Sequence, residues 1–122
     1  MRRDILLVDD DSSFCRIIET ALLISGHSVV SAHNGLEALD LFAPGKFHLV
    51  LTDYLMPAMT GDKLAAAIKD LSPGQPILML TAYGENLWPS SPVLNRVDGL
   101  ISKPFKLDTI RQAVLKFSRS WN

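Results

Sequence analysis

An α/β fold, with one layer of five parallel strands between two layers of helices, is the architecture this sequence predicts. Short runs of strand length recur at Ile5–Val8, Ser28–Ala32, Phe47–Thr52, Ile77–Leu80 and Leu100–Ile101. The segments between most of them carry apolar residues at helical spacing, a pattern that implies parallel βαβ units. Ile5–Val8 is continuously apolar rather than alternating, as a strand covered on both faces must be.

Each element has its own justification. After Val8, the residues Phe14, Ile17, Ile18, Ala21 and Leu22 fall on one helical stripe, and Gly26 can stop that helix in a left-handed conformation. Asn34 caps a short helix carrying Leu36, Leu39 and Phe42, which Pro44 and Gly45 end. Gly61 leads into a helix with Leu64, Ile68 and Leu71 on one face, stopped by Pro73 and Gly74. The last helix carries Leu107, Ile110, Val114 and Phe117. The segment between Thr81 and Asp98 should hold a further helix, but Pro89 and Pro92 lie inside it. A proline in a helix interior costs about 3 kcal/mol. The expectation is an irregular stretch over residues 84–90, then one or two turns beginning near Pro92, where Ser91 can serve as N-cap.

The 122 residues suit one domain able to bury a core without staples, and no linker, repeat or low-complexity tract divides them. A 48% hydrophobic content and a mean hydropathy of +0.18 indicate a folded chain rather than a disordered one. Twelve basic residues against thirteen acidic ones give a net charge of −1, so no global field attracts nucleic acid or an anionic membrane. Cys15, the single cysteine, cannot form an internal disulfide and lacks partners for zinc; a reducing cytoplasm is expected. The first apolar run stops in carboxylates at Val8, making a poor signal peptide, and no stretch approaches the ~18 apolar residues that would span a bilayer.

Chemistry-bearing residues stand just past the strand runs. Asp9, Asp10 and Asp11 follow the first, Asp53 follows the third, Thr81 follows the fourth, and Ser102 and Lys103 follow the fifth. In an open parallel sheet these tips share the carboxyl edge, where ligands bind. Mg²⁺ takes oxygen ligands and keeps several waters, so one or two carboxylates suffice; Asp9, Asp10 and Asp53 can supply them. Three clustered carboxylates repel one another without a cation. With the charge balanced, Asp53 can attack phosphorus, Lys103 can pair with the transferred oxygens, and the Thr81 hydroxyl can donate to one of them.

The segments Ile5-Leu6-Leu7-Val8-Asp9-Asp10, Thr52-Asp53-Tyr54-Leu55-Met56-Pro57 with Gly61 following, Leu80-Thr81-Ala82 and Lys103-Pro104-Phe105 resemble, in this order and spacing, the receiver (phosphoacceptor) domain of two-component response regulators. The resemblance covers essentially residues 1–122 as one receiver domain. It implies a flavodoxin-like (βα)5 three-layer sandwich with strand order 2-1-3-4-5. It further implies Asp53 as phosphoacceptor, and Asp10 and Asp53 as Mg²⁺ ligands with Asp9 acting partly through water. The Leu55 backbone carbonyl would complete the protein ligands. Lys103 and Thr81 become the phosphoryl-sensing pair, and the Lys103–Pro104 bond becomes cis. The implied partners are a sensor histidine kinase or phosphotransfer protein and an output domain or downstream protein, with homodimerisation as a further mode. No direct nucleic-acid or membrane contact is expected, and no catalysis beyond the chain's own phosphorylation and dephosphorylation.

Departures from the pattern accompany the match. Many receivers carry Tyr or Phe three residues before the lysine, where this chain has Leu100, so the aromatic half of their switch is missing. Leu55 and Tyr83 stand two residues after Asp53 and Thr81, near the path of a hydrolytic water; Leu55 offers no hydrogen bond, and a long-lived phosphorylated state is expected. A haloacid-dehalogenase-type phosphohydrolase would need an Asp where Leu55 stands, and a phosphorylation-free interaction domain would not need the acidic pair and Lys103. The remaining candidates have plain readings. Asp11 is a helix cap; Cys15 is a small buried hydrophobe; His27, His33 and His48 are surface or loop residues. Trp88 and Trp121 pack on the core, with Trp88 also a candidate partner contact.

Overall fold

The computed structural model describes residues 2–82 and 95–118. Chain order is β1 (Asp4–Val8), α1 (Ser12–Ile24), β2 (Ser28–Ala32), α2 (Gly35–Leu41), β3 (Leu49–Asp53), α3 (Gly61–Leu71), β4 (Ile77–Thr81), β5 (Gly99–Ser102) and α4 (Leu107–Phe117). The strands form one parallel sheet in the order β2-β1-β3-β4-β5. This is the flavodoxin-like arrangement the sequence implied. The expected break around Pro89 and Pro92, together with Tyr83, Trp88 and Trp121, lies outside the described residues.

Alternation along the strands explains the continuous apolar runs. Ile5, Leu7, Leu49, Leu51, Leu78 and Leu80 face one side, where they pack with Cys15, Ile18 and Leu22 of α1 and Ile110 and Val114 of α4. Leu6, Val8, Val50 and Ile77 face the other, against Ala38 of α2 and Leu64, Ala65 and Ile68 of α3. Each fully buried Leu, Ile or Val contributes about 1.5–3 kcal/mol relative to exposure. The helical stripes are narrower than the sequence pattern: Ile17 and Leu71 are more than half exposed, because a strip about 100° wide is all a helix lays on a sheet.

Caps fix the helix entries. The Asp11 side chain accepts from the Phe14 N–H (3.1 Å), and Asn34 accepts from the Glu37 N–H (2.8 Å). Gly26 adopts φ +92° just past α1, the conformation expected of a helix-ending glycine. β3 begins two residues later than the apolar run and ends on Asp53 rather than before it.

Two histidines lie in loops, as the expectation of surface or loop residues allows, but they are buried there. His27 and His48 are buried at the amino edge, in the residues leading into β2 and β3, the two neighbours of β1. Their Nδ1 atoms accept the N–H groups of Arg3 (3.0 Å) and Asp4 (2.8 Å), satisfying backbone donors where β1 begins. Burial lowers the basicity of both rings, so they stand as neutral acceptors. His33 is exposed, as expected.

Candidate functional site

Parallel register carries the tips of β1, β3, β4 and β5 to one edge. Val8 pairs with Thr52, Asp53 with Leu80, and Thr81 with Ser102. Asp9 extends the sheet by donating its N–H to the Ala32 carbonyl (3.1 Å), and its own side chain is almost wholly buried. Asp10 follows it, exposed, and Asp53 is half-buried. One carboxylate oxygen from each of Asp9, Asp10 and Asp53 lies within 4.8 Å of the others. Lys103 closes the group: its Nζ is 3.1 Å from Asp9 Oδ2 and 3.7 Å from Asp53 Oδ1.

Backbone contacts fix this geometry. The Lys103 N–H donates to the Thr81 carbonyl (2.8 Å), which ties the fifth strand's exit to the tip of β4, where Thr81 is fully buried. The Lys103–Pro104 peptide is cis, as expected. Asp53 Oδ1 accepts from the Tyr54 N–H (2.9 Å), and Asp9 Oδ1 accepts from the Asp11 N–H (3.0 Å). The loop after β3 returns so tightly that the Gly61 N–H reaches the Tyr54 carbonyl (2.7 Å). A Cβ on Gly61 would sit 2.1 Å from the Asp53 carbonyl oxygen, so only glycine permits this approach. Leu55, in the same loop, is about half exposed.

Crowding shows in the proton affinity of Asp53. Burial, reinforced by the Asp9 charge, pushes its carboxyl up to about 6, while Lys103 and the Tyr54 N–H pull the other way. Among the described residues, three carboxylates against one ammonium leave an excess of negative charge. All three donors are hard oxygens, a set that suits Mg²⁺. Cys15, whose thiol donates to the Asp9 carbonyl (3.5 Å), is pushed up to about 11 by burial and by Asp9, and is inert as a nucleophile.

The edge thus brings together the side chains of Asp9, Asp10, Asp53 and Lys103, with Thr81 tied to Lys103 through its backbone carbonyl; the expectation for Thr81 was a role for its hydroxyl. Phe14 and Phe105 were not anticipated as neighbours of the group. The Phe14 ring lies under the Lys103 ammonium at 4.1 Å from the centroid, and Phe105 meets that ring edge-on at 5.8 Å. The available signal was position, since Phe14 occupies the first turn of a helix that opens beside Asp9.

Fold and edge together define a doubly wound α/β protein with an acidic, lysine-closed ligand edge. Residues 5–115 match the response regulator receiver domain family, and the chain belongs to it as a receiver domain of two-component response regulators. It is 34% identical to the transcriptional regulatory protein GlrR of Escherichia coli over 110 residues, covering 90% of this chain and 25% of that protein. The "Probable transcriptional regulator ycf27" of Porphyra purpurea is 39% identical over 85% of this chain and 42% of its own length. The chain therefore spans less than half of the curated relatives it matches. Among solved structures, the response regulator TrrA of Thermotoga maritima in complex with Mg²⁺-BeF superposes with a TM-score of 0.85 at 31% identity, covering 93% of this chain and 97% of that one. The same regulator has been solved in complex with the histidine kinase ThkA, with a TM-score of 0.83 at 31% identity over the same shares of the two chains.

Proposed function

We propose that Asp53 accepts a phosphoryl group from a phosphohistidine of a sensor kinase or phosphotransfer protein, or from a small acyl phosphate, in a Mg²⁺-dependent transfer. The observation that carries this reading is the approach of Lys103 Nζ to Asp53 Oδ1 (3.7 Å) inside a group of three carboxylates. Asp9, Asp10 and Asp53, with the Leu55 backbone carbonyl, would hold the Mg²⁺. Bound there, Mg²⁺ supplies charge neutralisation of the phosphoryl oxygens. The chain does the rest. Tyr54 N–H holds the Asp53 carboxylate in its attacking orientation; a phosphorus–oxygen bond forms to Asp53 as the phosphorus–nitrogen bond of a phosphohistidine breaks and the freed imidazole is protonated, or as the phosphorus–oxygen bond of an acyl phosphate breaks and a carboxylate leaves. Lys103 pairs with a transferred oxygen, and the Thr81 hydroxyl donates to another.

The acyl phosphate adds about −1.5 to −2 charges at the edge. Lys103 and Thr81 then follow the new oxygens and shift the adjoining surface that partners read. With Leu100 where many receivers carry an aromatic residue, that coupling runs through the backbone link of Lys103 to Thr81 rather than through an aromatic rotation. The kinase complex of TrrA supports a kinase as donor, and the regulator relatives support an output domain as reader; a second copy of the chain is a further candidate reader. We place the exchange in the cytoplasm; no helix among the described residues is long and apolar enough to cross a membrane. The chain acts on its own phosphoryl group and not on free substrates.

Incubation with Mg²⁺ and acetyl phosphate, followed by intact mass, tests this. One added phosphoryl group that Asp53→Ala abolishes is the expected result. No gain, or a gain that survives Asp53→Ala, would reject it, and turnover of free phosphate esters would point to a hydrolase instead.

A further inference from the structure

Resting on this reading of Lys103, we infer that Phe14 is a positioning residue for the Lys103 ammonium, acting through the face of its ring. Among the described residues, the ammonium meets Asp9 Oδ2 at 3.1 Å, Asp53 Oδ1 at 3.7 Å and the Phe14 ring at 4.1 Å from its centroid. The first two are carboxylates that have other work. Asp9 belongs to the group suited to a divalent cation, and any share of its charge given to that cation is lost to Lys103. Asp53 loses its carboxylate charge when it is phosphorylated, one oxygen bonding phosphorus and the other becoming a carbonyl. Of these three groups, the aromatic face is the one whose attraction for the ammonium persists unchanged, because its quadrupole is neither neutralised by a cation nor consumed by the reaction.

The local structure holds that face in place. Asp11 caps α1 by accepting from the Phe14 N–H, which fixes the backbone at this position in the first turn. Phe105, two residues beyond Lys103, meets the Phe14 ring at an interplanar angle of 76°, an edge-to-face contact that sets the ring's tilt. Both rings are only partly buried against the cluster formed by Cys15, Ile18 and the strand residues. Phe14 thus gives less of its surface to the core than a packing residue would, and its face goes to the lysine. A neutral partner also leaves the full positive charge available to a phosphoryl oxygen, which a dedicated carboxylate would not.

Phe14→Leu keeps an apolar side chain and removes the ring; Phe14→Tyr keeps the ring. In the metal-free protein, the Lys103 ε-methylene protons should be shifted upfield by the ring current in wild type and Phe14→Tyr, and lose that shift in Phe14→Leu. With acetyl phosphate, Phe14→Leu should slow phosphorylation about three- to tenfold, while Phe14→Tyr stays within about twofold of wild type. In a Lys103→Gln background, Phe14→Leu should cause no further loss. If Phe14→Leu fails to fold, Phe14→Met serves in all three measurements. Unshifted ε-protons in wild type, or a wild-type rate in Phe14→Leu, would overturn the inference. A wild-type protein that takes up no phosphoryl group would instead reject the function of Asp53, and the proton shifts would still decide the role of Phe14.

Discussion

The two edges of the sheet handle ionisable groups in opposite ways. At the carboxyl edge, Asp9, Asp10 and Asp53 share one small space with a single ammonium, and the Asp53 carboxyl is pushed up to about 6. At the amino edge, His27 and His48 are buried as neutral rings, each accepting a backbone N–H at the start of β1. One edge gathers unbalanced negative charge; the other holds neutral acceptors where the strand begins. Their responses to acid therefore have opposite signs. Folding raises the pKa of Asp53, so the folded state binds the extra proton and the cost of the ionised carboxylate fades as pH falls through about 6. Folding lowers the pKa of both histidines, so the unfolded chain takes up protons first, and stability is lost as pH falls below about 6.5.

The largest break of this contrast is steric. Gly61→Ala would force a Cβ against the Asp53 carbonyl, costing about 3 kcal/mol or displacing the loop. Urea unfolding should show the loss, and phosphorylation by acetyl phosphate should fall with it. A variant as stable and as active as wild type would mean that the loop's close return is not needed.

Next in size is the charge at the carboxyl edge. Asp53→Asn removes the charge but keeps an acceptor for the Tyr54 N–H. Without divalent cations it should stabilise the chain at pH 7.5 by about 1–3 kcal/mol, a rise of several degrees in Tm. At pH 5 the gain should shrink, because the wild-type carboxyl is then mostly protonated. An equal gain at both pH values would contradict the raised proton affinity of Asp53.

A smaller effect is expected at the other edge. Asn can place an oxygen near the position of an imidazole Nδ1, so His27→Asn and His48→Asn keep an acceptor without the titration. Each variant should lose less stability than wild type between pH 7 and pH 5. NMR titration should place both wild-type rings below the ordinary histidine value. A ring titrating above that value would show the amino edge to be charged after all.

The smallest and most local test concerns hydrolysis. Leu55 is exposed beside the site, and Tyr83 lies outside the described residues. Leu55→Asn combined with Tyr83→Glu should shorten the lifetime of phosphorylated Asp53, measured by the decay of the added mass. An unchanged lifetime would remove these two positions from the account of a long-lived state.

Sequence made the carboxyl edge legible because a strand tip is a positional fact. Apolar runs end where Asp9, Asp53, Thr81 and Lys103 stand, and a parallel sheet can only gather them at one edge. The amino edge was not legible. A histidine before a strand has no periodicity to betray its burial, and the acceptor role of His27 and His48 depends on where the backbone of Arg3 and Asp4 passes. Phe14 lay between these cases: the helical stripe placed it, but the lysine over its ring arrives from a segment 89 residues further along. Ile17 misled for a related reason, since spacing marks a stripe but not how wide a strip the sheet covers.

Magnesium-linked unfolding is the most direct measurement of the central claim that the acidic edge is built around a divalent cation beside Asp53. At pH 7.5, wild-type stability should climb with the logarithm of Mg²⁺ concentration once the site fills, and Asp10→Asn and Asp53→Asn should lose most of that slope. Stability that ignores Mg²⁺ in wild type, or a slope that both variants retain, would contradict it.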